Sequence, residues 1–313
     1  MRIGAHLSIA KGFPAAAEAA LSIAANTFQF FSRNPRGGGR RALDAGEVER
    51  WLALKAEHDL GPLVMHIPYT VNLAAPAEAT WQFAVRVLRE DTERAGRVRA
   101  AYVVTHPGSH TRQSDAEQGL RRIIAALEEV RPVIEALHAQ AAASGAEGGR
   151  SAAEGGATAG ADGAPMLLLE TMAGQGTEIG HRPEQLERIL DGLGRPPWLG
   201  VCVDTCHVFA AGYDLRQPSE VDRLAEDLDV SVGLERVRVV HVNDSKAPVG
   251  SRVDRHECVG RGHIGLEGLL NVIDHKAFRG RPLILETPVD VMPDGWGEEI
   301  GLLRQASRSG RPA

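Results

Sequence analysis

V-C-V-D-T-C-H, at residues 201–207, is a short apolar run that ends in two candidate metal ligands, Asp204 and His207. Such a run is typical of a buried strand in a parallel sheet, and a polar residue directly after it lies at the carboxyl end of that strand. Similar runs followed by polar residues recur along the whole chain. The same pattern therefore predicts both the fold and the place of the functional site.

Eight apolar runs are predicted to be strands, and eight segments of helical composition follow them in turn. The strands are expected at 2–8, 26–31, 62–66, 101–106, 166–170, 200–204, 237–244 and 282–286. The helices are expected at 15–25, 47–60, 78–98, 115–143, 183–193, 219–234, 266–275 and 298–307. Eight β-then-α units in 313 residues favour an α/β fold, the (β/α)₈ TIM barrel, over a doubly wound sheet. We expect one domain, spanning residues 1–313.

Residues 144–164 interrupt this alternation with a low-complexity segment of small and polar residues. Such a composition buries too little surface to order itself, so a disordered insertion is predicted. It lies between the fourth helix and the fifth strand, on the face of a barrel that is remote from the active site. No function is assigned to it.

The composition bears on the cellular compartment and the partners. The net charge is −6, which offers no overall basic field for nucleic acid. Three cysteines, Cys202, Cys206 and Cys258, form no even disulfide framework and are interpreted as packing residues in a reducing, cytoplasmic protein. The chain shows no signal peptide pattern and no apolar run of membrane-spanning length, so no membrane partner is expected.

The chemistry is predicted where the strands end. Because the carboxyl ends of all barrel strands meet at one mouth, their last polar residues become neighbours. The loop after the seventh strand adds D-R-H, in which alternate side chains can point the same way. Other strand-end and loop histidines, His6, His110, His181 and His263, are set aside as hydrogen-bonded structural residues. The nine candidate ligands are His66, His106, Glu170, Asp204, His207, His241, Asp254, His256 and Glu286.

Five imidazoles and four carboxylates suit Zn²⁺, Mn²⁺ or Fe²⁺ better than Mg²⁺ or Ca²⁺. Carboxylates crowded in one mouth repel one another unless cations balance them. Nine ligands are too many for one ion, and a bridging carboxylate would divide them into three open sites. Clustered metals of this kind favour hydrolysis of a phosphodiester.

Several longer motifs resemble the endonuclease IV family of metal-dependent apurinic/apyrimidinic endonucleases. They are H-I-P-Y-T-V-N-L-A at 66–74, G-V-C-V-D-T-C-H at 200–207, H-V-N-D-S-K from 241 and D-R-H-E-C-V-G-R-G-H ending at 263. G-A-H-L-S near the start and N-T-F-Q-F-F-S-R-N-P-R from 26 are similar as well. The resemblance extends over the chain except the insertion, and it implies a TIM barrel.

That resemblance implies a centre of three Zn²⁺ ions, with Mn²⁺ or Fe²⁺ acceptable at one or more sites. One metal would be held by His66, His106 and Glu170, a second by Glu170, Asp204, His241 and Glu286, and a third by His207, Asp254 and His256. The implied reaction cuts the phosphodiester on the 5′ side of an abasic site in double-stranded DNA and leaves a 3′-hydroxyl. Blocked 3′ ends would also be trimmed. Glu170 and Glu286 would be the catalytic carboxylates, and a monomer is expected.

Arg36 and Tyr69 match family positions that approach the lesion, so we expect both to contact DNA. The chain departs from the family pattern after Arg36, where Gly37, Gly38 and Gly39 stand in place of a bulky or amide side chain. This departure concerns how the lesion is recognised and leaves the metal ligands unchanged. A cluster of basic residues in the third motif predicts a local positive patch that the net charge conceals: Lys246, Arg252, Arg255 and Arg261.

Two other functions compete with nuclease activity. A sugar isomerase or epimerase on the same barrel needs one or two divalent ions, and Asp254 with His256 would then have no metal to hold. A DNA-binding protein without activity would lack some ligands, and no ligand is missing. The sequence therefore predicts a repair nuclease.

Overall fold

The computed structural model describes residues 1–35, 39–147, 164–288 and 295–307. Eight strands form a closed barrel: β1 (Ile3–His6), β2 (Thr27–Phe31), β3 (Val64–His66), β4 (Tyr102–Thr105), β5 (Met166–Glu170), β6 (Leu199–Asp204), β7 (Val237–His241) and β10 (Leu283–Leu285). Their order around the barrel is β1-β10-β7-β6-β5-β4-β3-β2, and every neighbouring pair is parallel. The predicted TIM barrel and all eight predicted strands are confirmed.

The helices surround the barrel, as expected for β-then-α units. Within the described residues they are α1 (Phe13–Ser22), α2 (Ala45–Glu57), α3 (Glu78–Arg97), α4 (Ala116–Glu147), α5 (Pro183–Gly192), α6 (Thr205–Ala211), α7 (Pro218–Ser231), α8 (Gly265–Ile273) and α9 (Trp296–Ala306). Eight of them match the predicted helices. The first residues of the predicted insertion at 144–164 continue α4, and its greater part, 148–163, lies outside the described residues.

One helix and one pair of short strands were not predicted. The short helix α6 begins directly after β6, and Asp204 caps it by accepting a hydrogen bond of 2.9 Å from the backbone N–H of His207. The predicted seventh strand, 237–244, ends earlier, at His241. The residues beyond it form a separate antiparallel pair, β8 (Asp244–Ser245) with β9 (His256–Glu257).

The hydrophobic core has two parts because each strand presents one face to the barrel interior and one to the helices. A small interior cluster includes Tyr102, Leu168 and Val239. The larger cluster lies between the strands and the helices and contains Trp51, which is fully buried. Among the described residues, none of the helices is both long and apolar enough to span a membrane.

Candidate metal centre

All nine predicted ligands lie at the carboxyl-terminal mouth of the barrel. Six are the last residue of a strand or follow it directly: His66, His106, Glu170, Asp204, His241 and Glu286. His207 comes from α6, and Asp254 and His256 come from the loop between β7 and α8. The barrel therefore brings together residues from segments that are distant in sequence, because its strands converge at one end.

Among the described residues, ligand atoms that lie within 4.8 Å of one another form five overlapping groups, and three of these contain all nine predicted ligands. The other two are His66 with His241 and Glu286, and Asp204 with Cys206 and His256. The first group is His66, His106 and Glu170; the second is Glu170, Asp204, His241 and Glu286; the third is His207, Asp254 and His256. These are the groups that the resemblance implied. Glu170 belongs to two of them, so it stands where a bridging carboxylate would be needed.

Glu170 is the centre of the site. Its Oε2 lies 3.1 Å from Nε2 of His66 and 3.3 Å from Nε2 of His106. Its Oε1 lies 3.1 Å from Nδ1 of His241 and 3.4 Å from Nδ1 of His207. Since Glu170 is fully buried, its charge faces four imidazoles and no solvent.

The candidate ligands differ in how deeply their side chains are buried. The carboxylates of Glu170 and Asp204 and the ring of His241 are fully buried at the floor. Asp254 and His256 lie higher, with side chains 29% and 19% exposed. The site is therefore a concave pocket whose deepest ligands are shielded from solvent, and Asp254 and His256 of the third group lie at its solvent-accessible edge.

Hydrogen bonds on the outer side of four imidazoles set which nitrogen faces the site. Nδ1 donates to a backbone carbonyl in three rings: His66 to Ile67 at 2.6 Å, His207 to Thr171 at 2.8 Å and His256 to Glu286 at 3.3 Å. His241 instead donates from Nε2 to Oε1 of Gln29 at 2.9 Å. Each ring is thereby held with its other nitrogen directed inward, where a metal ion would bind it in place of a proton.

Two inward nitrogens show that the donor set fits metal ions. Nε2 of His207 and Nε2 of His256 are buried and have no hydrogen-bond partner among the described residues. Both approach Oδ1 of Asp254, at 3.2 and 3.3 Å, without the alignment of a hydrogen bond. Buried polar atoms are rarely left unpaired. Two imidazole nitrogens and a carboxylate oxygen around one point are the open donor set of a Zn²⁺-type ion.

Electrostatics agree with this donor chemistry. Burial alone would raise the pKa of Glu170, but His241 and His106 outweigh it and hold that pKa well below its usual range. Burial would lower the pKa of His207, but Asp204 and Asp254 raise it well above the ordinary value. Without cations, the neighbouring carboxylates thus favour protons on imidazoles such as those of His207 and His241, whose pKa values are raised. A bound divalent ion takes the place of those protons, so metal binding releases them.

Neighbouring side chains that sequence reasoning missed orient the ligands. Gln29, fully buried on β2, donates from Nε2 to Oε1 of Glu286 at 2.6 Å. Nδ1 of His6 lies 3.0 Å from the same oxygen. Asn243 donates from Nδ2 to Oδ2 of Asp204 at 2.6 Å. His6 was predicted to be a hydrogen-bonded structural residue, and it lies in none of the candidate ligand groups among the described residues.

The remaining histidines and the cysteines lie outside the three groups. Nδ1 of His110 is bonded to a backbone carbonyl of its own loop, as is Nδ1 of His181. Cys206 lies beside Asp204 and His256, but burial raises the pKa of its thiol to about 12. The interpretation of Cys206 as a packing residue stays a prediction.

A cavity of about 360 Å³ opens over the site and is lined by His6, Phe31, His66, Tyr69, His106, His207, Asp254, His256, Glu286 and Trp296. Tyr69 stands at its edge with 56% of its surface exposed. Arg36, the other predicted DNA contact, lies outside the described residues, as do Gly37 and Gly38. The four basic residues of the predicted patch are all exposed, and all lie on the loop that carries Asp254 and His256: Lys246, Arg252, Arg255 and Arg261.

A closed parallel barrel with histidine and carboxylate groups at its mouth defines the class of xylose isomerase-like TIM barrels, and the family model of that description matches residues 17–306. Within this class, the chain belongs to the endonuclease IV family. It is 44% identical to a probable endonuclease 4 of Heliobacterium modesticaldum, over 98% of this chain and 99% of that protein. It is 43% identical to the probable endonuclease 4 of Moorella thermoacetica, over 97% and 99%.

Solved structures agree with this assignment. Endonuclease IV from Thermus thermophilus superposes with a TM-score of 0.77 at 36% identity and covers 97% of this chain and 98% of its own. A 3-keto-D-glucoside 4-epimerase from E. coli has a TM-score of 0.64 at 12% identity, over 98% and 100%. The second likeness shows the shared barrel alone.

Proposed function

We propose that this protein is a DNA-repair apurinic/apyrimidinic endonuclease. It would hydrolyse the phosphodiester on the 5′ side of an abasic site in double-stranded DNA, leave a 3′-hydroxyl, and trim blocked 3′ ends. The observation that carries this proposal is the third ligand group. An isomerase or epimerase on this barrel has no use for His207, Asp254 and His256 around one further point, whereas a phosphodiesterase can use an additional cation near the leaving oxygen.

We assign the three groups to three metal ions, with zinc preferred because imidazole and carboxylate donors surround open positions. His66, His106 and Glu170 would hold one ion. Glu170, Asp204, His241 and Glu286 would hold another, and His207, Asp254 and His256 the last. When bound, such ions supply a nucleophile at neutral pH and offset the negative charge of the attacked phosphate.

The protein side chains position the reaction. Glu286 lines the cavity with its side chain 15% exposed, so it can orient an attacking water and accept its proton. Gln29 and His6 hold one oxygen of this carboxylate, which leaves the other oxygen to face the site. Glu170 lies deeper and is reached by no solvent, which suits the bridging and orienting role.

Selectivity for abasic DNA has a physical basis in the shape of the mouth. A nucleotide without a base has no stacking or pairing to lose, so turning it out of the duplex costs least at the lesion. Tyr69 is a large exposed ring at the edge of the cavity, placed to stack on or enter the distorted helix. Arg36 would add charge toward the phosphates.

The test is cleavage of a duplex oligonucleotide with one tetrahydrofuran abasic analogue, with an undamaged duplex as substrate control. We expect a single cut 5′ to the analogue by the wild-type protein and its loss in His256→Ala. His58→Ala is the matched control, because His58 lies at the end of α2 with its side chain 37% exposed. Zinc is measured in all three proteins by elemental analysis. If the zinc-loaded wild-type protein leaves the abasic strand uncut, the nuclease assignment is wrong.

A further inference from the structure

The loop between β7 and α8, residues 242–264, carries two members of the third group. The other candidate ligands lie at strand ends or in α6, where the barrel fixes them. Asp254, by contrast, lies in a stretch without regular secondary structure, and His256 belongs to the two-residue strand β9. The geometry of the third group therefore depends on how this loop is held.

Asp244 holds the two ends of the loop together. The residue is fully buried, and its carboxylate accepts hydrogen bonds from four backbone N–H groups. Oδ1 accepts from Ser245 at 2.8 Å and Ile264 at 2.9 Å. Oδ2 accepts from Gly262 at 3.0 Å and Gly265 at 3.1 Å. One carboxylate thus joins the start of the loop to its end and to the first turn of α8, where negative charge is favourable.

The fit around this carboxylate is close. A Cβ on Gly262 would lie 2.4 Å from Oδ1 of Asp244 and 2.4 Å from the carbonyl oxygen of Ser245. Only glycine allows the returning chain to approach this near. The backbone N–H of His263 also donates to the backbone carbonyl of Ser245 at 2.8 Å. The start and the end of the loop are therefore joined by a backbone hydrogen bond as well as by the carboxylate.

The contacts that join the two ends of the loop are adjacent to the segment that carries the ligand His256. Ser245 is paired opposite His256 in the β8–β9 ladder, and the N–H of Lys246 donates to the carbonyl of Arg255 at 2.9 Å. The middle of the loop is held separately, since the N–H of Arg252 donates to Ala210 of α6 at 3.0 Å. The short ladder that carries His256 therefore depends on its closed ends as well as on α6.

We propose that Asp244 is a positioning residue for the third metal group, which it serves through the loop and without contacting a ligand. This inference rests on the proposed function, because it requires that His207, Asp254 and His256 hold a metal. Loss of the carboxylate would release the ends of the loop and move Asp254 and His256 relative to His207. The first and second groups, set by strand ends, would keep their geometry.

The test compares the wild-type protein with Asp244→Asn. The amide keeps the size of the carboxylate but directs an NH₂ group at backbone N–H donors. Zinc content is measured after dialysis, and zinc affinity by competition with a chromogenic chelator. We expect Asp244→Asn to lose about one zinc per chain, with the affinity of the weakest site lowered roughly 10- to 100-fold. Gly262→Ala, which displaces the same carboxylate, is expected to show the same selective loss.

Asp91→Asn is the matched control. Asp91 is equally buried and accepts from Ser32 at 2.5 Å and Arg33 at 2.6 Å, but it belongs to α3. Asp91→Asn should destabilise the fold and leave the zinc content unchanged. The comparison therefore separates a specific effect on the third metal group from a general loss of stability.

Three results would overturn the inference: unchanged zinc binding in Asp244→Asn, parallel loss from all sites, or failure of both Asp244→Asn and Gly262→Ala to fold. Failure of the proposed function is read separately, from the wild-type protein alone, because it would then bind no zinc or cut no abasic DNA.

Discussion

Asn243 gives the sharpest test of how the second ligand group is held. Its fully buried side chain bridges two candidate ligands from different strands. Nδ2 donates to Oδ2 of Asp204 at 2.6 Å, and Oδ1 accepts from the backbone N–H of Glu286 at 2.8 Å. Asn243→Ala removes both bonds at once and leaves both partners in place.

The magnitude follows from those two bonds. A hydrogen bond to a charged group contributes about 1.5–3 kcal/mol, and a buried N–H left without a partner costs about 1–3 kcal/mol. Asn243→Ala should therefore lower the free energy of unfolding by on the order of 3–5 kcal/mol. Loss of a residue that orients metal ligands typically lowers metal affinity roughly 10- to 100-fold, which is about 1.4–2.8 kcal/mol of binding free energy.

Two assays separate these effects. Urea unfolding of the metal-free protein reports the change in stability, and competition with a chromogenic chelator reports zinc affinity. Asn271→Ala is the matched control, because Asn271 on α8 donates to the carbonyl of Leu215 at 3.1 Å, away from the site. A folded Asn243→Ala protein with zinc affinity within roughly twofold of the wild type would refute the argument that this bridge orients Asp204 and Glu286.

Three further outcomes are expected. Zinc at a free concentration 100 times its Kd should raise the free energy of unfolding by about 2.7 kcal/mol per site, measured by urea unfolding with and without a chelator. Tyr69→Ala should weaken binding of abasic duplex by about 1–3 kcal/mol, measured by fluorescence anisotropy, with zinc content unchanged. Trp51→Ala, at a fully buried ring packed between Phe13 and Phe28, should lower the free energy of unfolding by about 3–5 kcal/mol with zinc content unchanged.

Each expectation has a contrary result. An unfolding midpoint that does not respond to zinc would mean that the folded protein binds the metal no better than the unfolded chain. Equal affinity of wild type and Tyr69→Ala for abasic duplex would remove Tyr69 from the DNA interface. A zinc loss in Trp51→Ala would show that packing outside the barrel controls the metal groups, contrary to the separation of the two core clusters.

The sequence was sufficient for the ligand types because each is marked locally. An apolar run followed by a histidine or an acid, as at His66, Glu170 and Asp204, predicts both a strand and its carboxyl end. A closed parallel barrel brings those ends together whatever the exact loop lengths. Local patterns failed for α6, because seven residues are too few to show a helical period. They also gave no signal for Gln29, whose contacts with His241 and Glu286 join separate segments.

What the sequence by itself determined is therefore the barrel, its mouth and the set of nine candidate ligands, since strand periodicity and residue type are properties of neighbouring residues. Only the tertiary structure decided which nitrogen of four imidazoles faces inward, and that Gln29 and Asn243 contact the ligands. These features depend on contacts between side chains and backbone groups from separate segments. His241 and Gln29, 212 residues apart, meet at 2.9 Å only because the barrel closes.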